Sequence, residues 1–374
     1  MIDRRQALLA CGVLALSGTA QPQVPARGDG DLHELDALFE FLRARNTKDY
    51  AVTTPNAVDQ ASYLHLGGID QWVTVRGEDR ANPVVLILHG GPGDATNPWG
   101  YAGFRRWLST YTVAQWDQRG SGRTLGRNGA ASARTLTIER MVDDGLELAE
   151  TLRRTLDQQK IILLGHSWGS VLGVLMAKKA PALFRAFIGT GQVESPAGRY
   201  EVAFEALLQK AHATRNSRAR RELEEIGPPP YADGRGYQVQ RRWANLFEGA
   251  DAFIASMLGF ALGAPGYTLR DLSDWGEGQM VSGERIMSLE RALPASVFSG
   301  RFELPVFVIQ GDEDFTTPTS AASAFVDRID APQKSFTTIK GGHFAVFMNS
   351  AKFVQEMTGL LGSVRAPGEA ARRR

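Results

Sequence analysis

Cysteine is nearly absent from this chain. Its 374 residues include a single one, Cys11, inside a short apolar segment at the N-terminus. A chain maturing without that segment has no disulfide, no thiol nucleophile and no cysteine-ligated metal. Charge of one sign is also missing. Forty-two Lys and Arg face 41 Asp and Glu, a formal net charge of +1. Neither nucleic acid nor an anionic membrane surface is implied as a partner. Histidine is scarce, with six copies. No internal repeat is visible, and the most apolar N-terminal run, Ala7 to Ala20, is too short to span a bilayer. What remains is ordinary globular composition, 43% hydrophobic and 22% charged. The length suits one large domain with an insertion, or two domains.

The N-terminus reads separately from the rest. Arg4 and Arg5 supply a positive start, Ala7 to Ala20 an apolar middle, and Gly18 and Ala20 small residues before Gln21. This predicts an export signal over residues 1–20, with the paired arginines suggesting the twin-arginine route and a periplasmic destination. Cys11 follows Leu8-Leu9-Ala10, but the apolar run continues past it, which disfavours lipid attachment. Residues 21–61 read as a linker followed by a helix over Asp31–Arg45, and residues 366–374 as a basic tail.

Between these ends the chain alternates. Ser62 to Asp79 switches between apolar and polar residues around Gly67-Gly68, the pattern of a hairpin. Pro83–Gly90, Tyr111–Gly120, Lys160–Ser167, Leu183–Gly191 and Leu304–Asp314 are short apolar runs that end in glycine or polar residues. Strands buried on both faces read this way. Leu136 to Leu156 places Ile138, Met141, Val142, Leu146, Leu148, Leu152 and Leu156 largely on one helical face. The order predicts an α/β fold with a mostly parallel central sheet flanked by helices. Its core would run over residues 62–191 and 301–365. Residues 192–300 break the alternation with charged and amphipathic helical stretches and are expected to form a helical cap.

The chemistry is concentrated at Gly165-His166-Ser167-Trp168-Gly169. A G-x-S-x-G stretch between an apolar strand and a helix predicts a nucleophile held at a sharp turn. The small flanking residues let strand and helix meet closely, and the following helix aims N–H groups and its positive end at developing negative charge. A serine hydroxyl needs a base. His343, in "TTIKGGHFAVF", is the one histidine late enough in the chain for the order Ser, acid, His. The acid is expected just after the strand in "VFVIQGDEDFTTP", which offers Asp312, Glu313 and Asp314. Asp314 is best placed to leave the strand end, with Asp312 as the alternative. Two oxyanion donors are expected: the Trp168 N–H, directly after the nucleophile, and the Gly91 N–H in "LHGGPGDATNPWG". No metal or other cofactor is expected.

In this order and spacing, "HGGPG", "WDQRGSGRT", "GHSWGS" and "GGHF" resemble the proline iminopeptidase branch of the α/β-hydrolase superfamily. The resemblance covers about Tyr63 to Gly191 and Leu304 to Leu361. It implies an α/β-hydrolase fold and a triad on Ser167, Asp314 and His343. It also implies a supporting loop on Asp117, Arg119 and Arg123, and release of N-terminal proline or small residues from peptides. Family members recognise the free amine with cap glutamates, which points to Glu248 in "RRWANLFEG" and to Glu194, with Glu201 as a further candidate. His166 stands where that branch more usually has glycine. The expected activity is therefore an exported serine aminopeptidase acting on a small peptide. The alternative is a carboxylesterase, lactonase or amidase acting on a small-molecule ester or amide without a free-amine requirement. An aspartate nucleophile, as in epoxide hydrolases, is disfavoured by Ser167. A non-enzymatic binding or adhesion protein is disfavoured by the full complement of triad residues.

Overall fold

A computed structural model describes residues 29–195, 198–231 and 234–364. The expected export signal and the basic tail lie outside the described residues. An N-terminal helix, Asp29–Asp49, precedes an eight-stranded sheet. The strands are β1 (Val58–Leu66), β2 (Ile69–Gly77), β3 (Val84–Leu88), β4 (Thr112–Trp116), β5 (Ile161–His166), β6 (Phe184–Thr190), β7 (Val306–Gly311) and β8 (Lys334–Ile339). Their order across the sheet is β1-β2-β4-β3-β5-β6-β7-β8. β1 and β2 form the hairpin expected around Gly67-Gly68, both of which take positive φ. β2 pairs antiparallel with β4, and every pairing beyond that is parallel.

The apolar runs form buried strands because both of their faces are covered. Val84, Leu86 and Leu88 of β3, Ile161 and Leu163 of β5, and Val306 and Val308 of β7 join one buried cluster. The alternate residues Val85 and Ile87, Ile162 and Leu164, and Phe307 and Ile309 join a second cluster on the other face. Side chains along a strand point to opposite faces with period two, so such a run needs a layer on each side. Helix Ile138–Thr155 covers the first face with Ile138, Met141, Val142, Leu148 and Leu152. Thr137 caps its start, accepting from the Arg140 N–H. Helix Ser350–Gly362 covers the other face with Phe353, Met357 and Leu361. The strands are shorter than the runs that predicted them because their polar ends leave the sheet. In the fourth strand Asp117 to Gly120 turns away after Trp116.

Among the described residues five α-helices lie between β6 and β7: Arg199–Ala213, Ser217–Ile226, Gly234–Glu248, Ala250–Leu262 and Leu269–Arg291. Turns divide this insertion into separate helices. Asn216 accepts a hydrogen bond from the Ala219 N–H and starts a new helix after Arg215, whose φ is 54°. Gly249, at φ 65°, separates the next pair. Among the described residues no helix is long and apolar enough to cross a membrane.

The sheet order places the site. The chain leaves β3 towards β4 on one side, then returns to β5 on the other. Loops leaving β3 and β5 diverge there, opening a crevice at the carboxyl ends of the strands.

Candidate active site

Ser167 follows β5, Gly91 follows β3, Asp314 follows β7 and His343 follows β8. Four segments far apart in sequence thus deliver their side chains or N–H groups to one edge of the sheet. Ser167 has φ 55° and ψ −121°, a conformation that L residues rarely adopt. Close packing enforces it. A Cβ at Gly165 would meet the backbone of Gly169 and Ser170, and one at Gly169 would strike the carbonyl oxygens of Leu88 and His89. The Ser167 N–H is held by the Thr190 carbonyl of β6 at 3.0 Å. Helix Trp168–Lys179 begins at the next residue. The N–H groups of Trp168 and Gly91 have no partner among the described residues. Gly91 has φ 111°, open to glycine alone at low cost.

His343 is buried, and its Nδ1 lies 3.0 Å from Asp314 Oδ2. A carboxylate at that distance accepts a hydrogen bond from Nδ1–H, which fixes the tautomer and leaves Nε2 as the basic nitrogen. Ser167 and His343 line the same cavity, of about 920 Å³. Among the described residues no hydrogen bond joins the Ser167 hydroxyl to the imidazole. Such bonds tighten on substrate binding. Asp314 is bound on all sides. Its Oδ1 accepts from the Thr316 and Thr317 N–H groups at 2.9 and 2.7 Å, and its Oδ2 from Gln310 Nε2 at 2.8 Å and Thr317 Oγ1 at 2.9 Å. Asp312, the alternative acid, is exposed and accepts from the Gly341 N–H at 2.8 Å. Glu313 pairs with Lys210. Burial pushes the Asp314 carboxyl up to about 7, against the pull of the Thr317 hydrogen bonds. Burial pushes His343 down to about 3, with Glu248 opposing the shift and the Arg241 and Arg199 guanidiniums adding to it. The imidazole is therefore held neutral, the form that accepts a proton.

Glu248 and Glu194 do not occupy the place expected of amine receptors. Glu248 is buried beneath the site. Its Oε1 accepts from the N–H groups of Phe315 and Thr316 at 2.8 and 3.1 Å, and its Oε2 from the His343 N–H at 2.9 Å. Burial, followed by the Asp314 charge, raises its carboxyl to about 7. It fastens the loops after β7 and β8 to each other and lines neither arm of the cavity. Glu194 pairs with Arg328 and also stays outside. Glu201 is exposed. The acids that do line the cavity are Asp94 and Glu284, with Glu290 in a smaller arm. Asp94 follows the Gly90-Gly91-Pro92-Gly93 turn directly, so its position next to that loop is visible in the sequence. Glu284 sits on helix Leu269–Arg291, and only the packing of that helix over the site brings it in.

The loop Asp117 to Thr124 acts as scaffolding. Gln118 accepts from Trp168 Nε1 at 3.0 Å and donates to the His89 carbonyl at 3.3 Å, bridging the segments after β5 and β3. Arg119 forms a buried pair with Asp144 at 2.8 Å. Arg123 pairs with Asp271 at 3.0 Å and lies over the Tyr267 ring, reaching into the helical insertion. Asp117 holds the Asn97 amide at 2.7 Å and the Arg123 N–H at 2.9 Å. His166 packs 4.8 Å from the His343 ring and donates from Nε2 to the His343 carbonyl at 3.0 Å. Gln310 escapes notice in the sequence, although it is the lone polar residue within an apolar strand run. Among the described residues no cluster of His, Cys, Asp and Glu has the arrangement to hold a metal ion.

This strand order agrees with comparison to known proteins. The family described as the alpha/beta hydrolase fold matches residues 83–350. The chain belongs to the alpha/beta hydrolase family. A probable aminopeptidase from Bacillus subtilis (strain 168) is 26% identical over 277 residues, 72% of this chain and 86% of that protein. A probable proline iminopeptidase from Streptomyces coelicolor is 35% identical over 125 residues, 32% of this chain and 35% of its own. Among solved structures, a proline iminopeptidase-related protein from Thermus thermophilus superposes with a TM-score of 0.58 at 19% identity, covering 82% of this chain and 98% of that one. An esterase from Exiguobacterium antarcticum gives 0.51 at 16% identity, covering 81% and 100%. In this alpha/beta hydrolase the His166 imidazole fills space beside Gly90 and Gly191, where added Cβ atoms would meet it.

Proposed function

We propose that this hydrolase cleaves amides or esters through a covalent acyl-enzyme formed on Ser167, and that it acts as an aminopeptidase on small peptides. The observation that carries the chemistry is the buried Asp314–His343 pair sharing a cavity with a serine at a strained elbow. His343 Nε2 takes the hydroxyl proton as Ser167 Oγ attacks the carbonyl carbon. The N–H groups of Trp168 and Gly91 stabilise the oxyanion. His343 then returns the proton to the leaving amine or alcohol. Water repeats the sequence on the acyl-enzyme, releasing the acid and free serine.

The named relatives support the aminopeptidase reading, with Asp94 and Glu284 as the cavity acids available to an ammonium group. A second reading, an esterase or amidase with no amine requirement, is favoured by the position of Glu248 and Glu194 outside the cavity. A panel of prolyl- and alanyl-arylamides, their N-acetylated forms and p-nitrophenyl esters separates the two. Acetylation is expected to lower kcat/KM on the arylamides by roughly a hundredfold, the scale of losing a charge-assisted contact. Equal rates on the free and acetylated forms would exclude the aminopeptidase.

Because burial disfavours the His343 imidazolium, the base stays neutral as pH falls through the ordinary histidine range. The Asp314–His343 pair nevertheless takes up a proton where burial has raised the Asp314 carboxyl, at about 7, so the acid limb of kcat/KM on a neutral ester is expected close to about pH 7. A limb clearly below about pH 6 would show that neither member of the pair takes a proton in that range.

A further inference from the structure

The cavity at Ser167 has two arms. The larger, about 920 Å³, has an apolar wall of Ile254, Met257, Leu258, Met280, Phe344 and Phe347. The smaller, about 270 Å³, lies between helices Arg199–Ala213 and Gly234–Glu248, with Ser167 and Trp168 on its wall. Among the described residues, Arg241 is the one charged side chain that borders both arms.

The other charges on these walls already have partners or lie to one side. Arg199 is neutralised by Glu290 at 2.7 Å. Asp94 accepts from Trp275 Nε1 at 2.6 Å and Gln279 Nε2 at 3.1 Å. Glu284 is exposed and borders the larger arm alone. Among the described residues Arg241 has no carboxylate partner, and its one hydrogen bond is a long one, from Nε to Asn245 Oδ1 at 3.4 Å. Arg242, beside it in the chain, is paired with Glu222. Arg291 on the larger arm also lacks an acid partner among the described residues, and its guanidinium sits over the Tyr237 ring at 5.3 Å. A guanidinium presents five donors in a planar fork that matches a carboxylate. The Arg241 side chain is exposed at the cavity, on a helix that is itself anchored to the reaction centre. Its helix, Gly234–Glu248, ends in the glutamate that binds the His343 N–H. Its field reaches both His343 and His166.

We infer that Arg241, with Arg291 behind it, binds a carboxylate of the substrate close to the bond that is cleaved. The substrates are then amides or esters carrying a free carboxylate, short peptides with an open C-terminus among them. This rests on the hydrolase reading of the site and adds the charge of the substrate to it. The carboxylate has two sources, the leaving group of a dipeptide or the acyl chain of a dicarboxylic half-amide, and the test separates them.

Ser167→Ala protein is titrated calorimetrically with two pairs: prolyl-leucine against prolyl-leucinamide, and glutaryl-p-nitroanilide against butyryl-p-nitroanilide. The carboxylate member of one pair is expected to bind at least roughly tenfold more tightly, with the preference shrinking as salt is raised. A preference in the dipeptide pair places the carboxylate on the leaving group, and one in the glutaryl pair places it on the acyl chain. Adding Arg241→Gln should remove most of that preference, and Arg241→Lys should keep part of it. Equal affinities within both pairs, no binding of any member, or a preference that survives Arg241→Gln would each overturn the inference. Residual turnover by Ser167→Ala would count against the acyl-enzyme mechanism instead, and the binding ratios would still be read.

Discussion

Ser167→Ala is expected to lower kcat/KM on activated esters and arylamides by about 10⁴-fold or more, leaving only the contribution of oxyanion donors and binding. The same variant should lose covalent labelling by a fluorophosphonate, while wild-type protein is labelled at Ser167. Folding should survive, because the elbow conformation is imposed by its neighbours. Gly165 and Gly169 pack against backbone atoms on both sides of the turn, and the Ser167 N–H is tied to Thr190. Serine and alanine bear the same strain at φ 55°. Ser167→Gly removes it and should raise stability by roughly 1 kcal/mol, measured by denaturant unfolding. Retained hydrolysis in Ser167→Ala would dismiss the nucleophile. A Ser167→Gly variant less stable than wild type would mean that the elbow is not strained.

Glu248→Ala has the second largest expected effect, and it acts on folding and catalysis together. Its carboxylate accepts from three N–H groups, the buried one of His343 and the half-buried ones of Phe315 and Thr316. Leaving them without acceptors costs about 3 kcal/mol, counting roughly 1 kcal/mol for each because two of them are only half-buried. In a chain of this size the melting temperature should fall by roughly 4 °C. The same loss frees the segments that carry Asp314 and His343, so kcat should fall with little change in KM. Glu248→Gln gives a sharper reading. Its amide oxygen can still serve Phe315 and Thr316, but its NH₂ group then faces the His343 N–H. A smaller loss of stability with a clear loss of kcat is expected. If both variants keep wild-type stability and kcat, the two loops are held by something other than Glu248.

Glu248 also shows where reading along the chain misleads. In a tryptophan-bearing amphipathic helix, a glutamate resembles a surface or cavity acid, because sequence pattern distinguishes a polar face from an apolar one and nothing finer. Whether that polar face meets water, substrate or unpaired backbone N–H groups depends on the docking of the helix over loops that lie far along the chain. Glu194 misleads for the same reason: Arg328, its partner, lies on a helix after β7. Asp314 and Asp312 compete in the sequence because they are near neighbours in one loop. The backbone separates them, turning Asp314 into the ring of Thr316, Thr317 and Gln310 donors and leaving Asp312 outside.

Local pattern alone determined a good deal of this protein. Buried strands require apolar runs of a certain length, a strand-to-helix corner requires small flanking residues, and the order of strands and helices requires a mostly parallel sheet. These are constraints between neighbours in the chain, so they are written in the chain. The elbow at Ser167 was legible on those grounds, whereas His343 was picked out by its place in the order Ser, acid, His. The lining of the cavity was decided only by tertiary structure. Which acids face Ser167, which are consumed as struts, and which arginine remains without a carboxylate depend on how five inserted helices pack across the sheet edge. Those contacts join residues with no fixed spacing, and burial and hydrogen bonding choose among them only once the chain has folded.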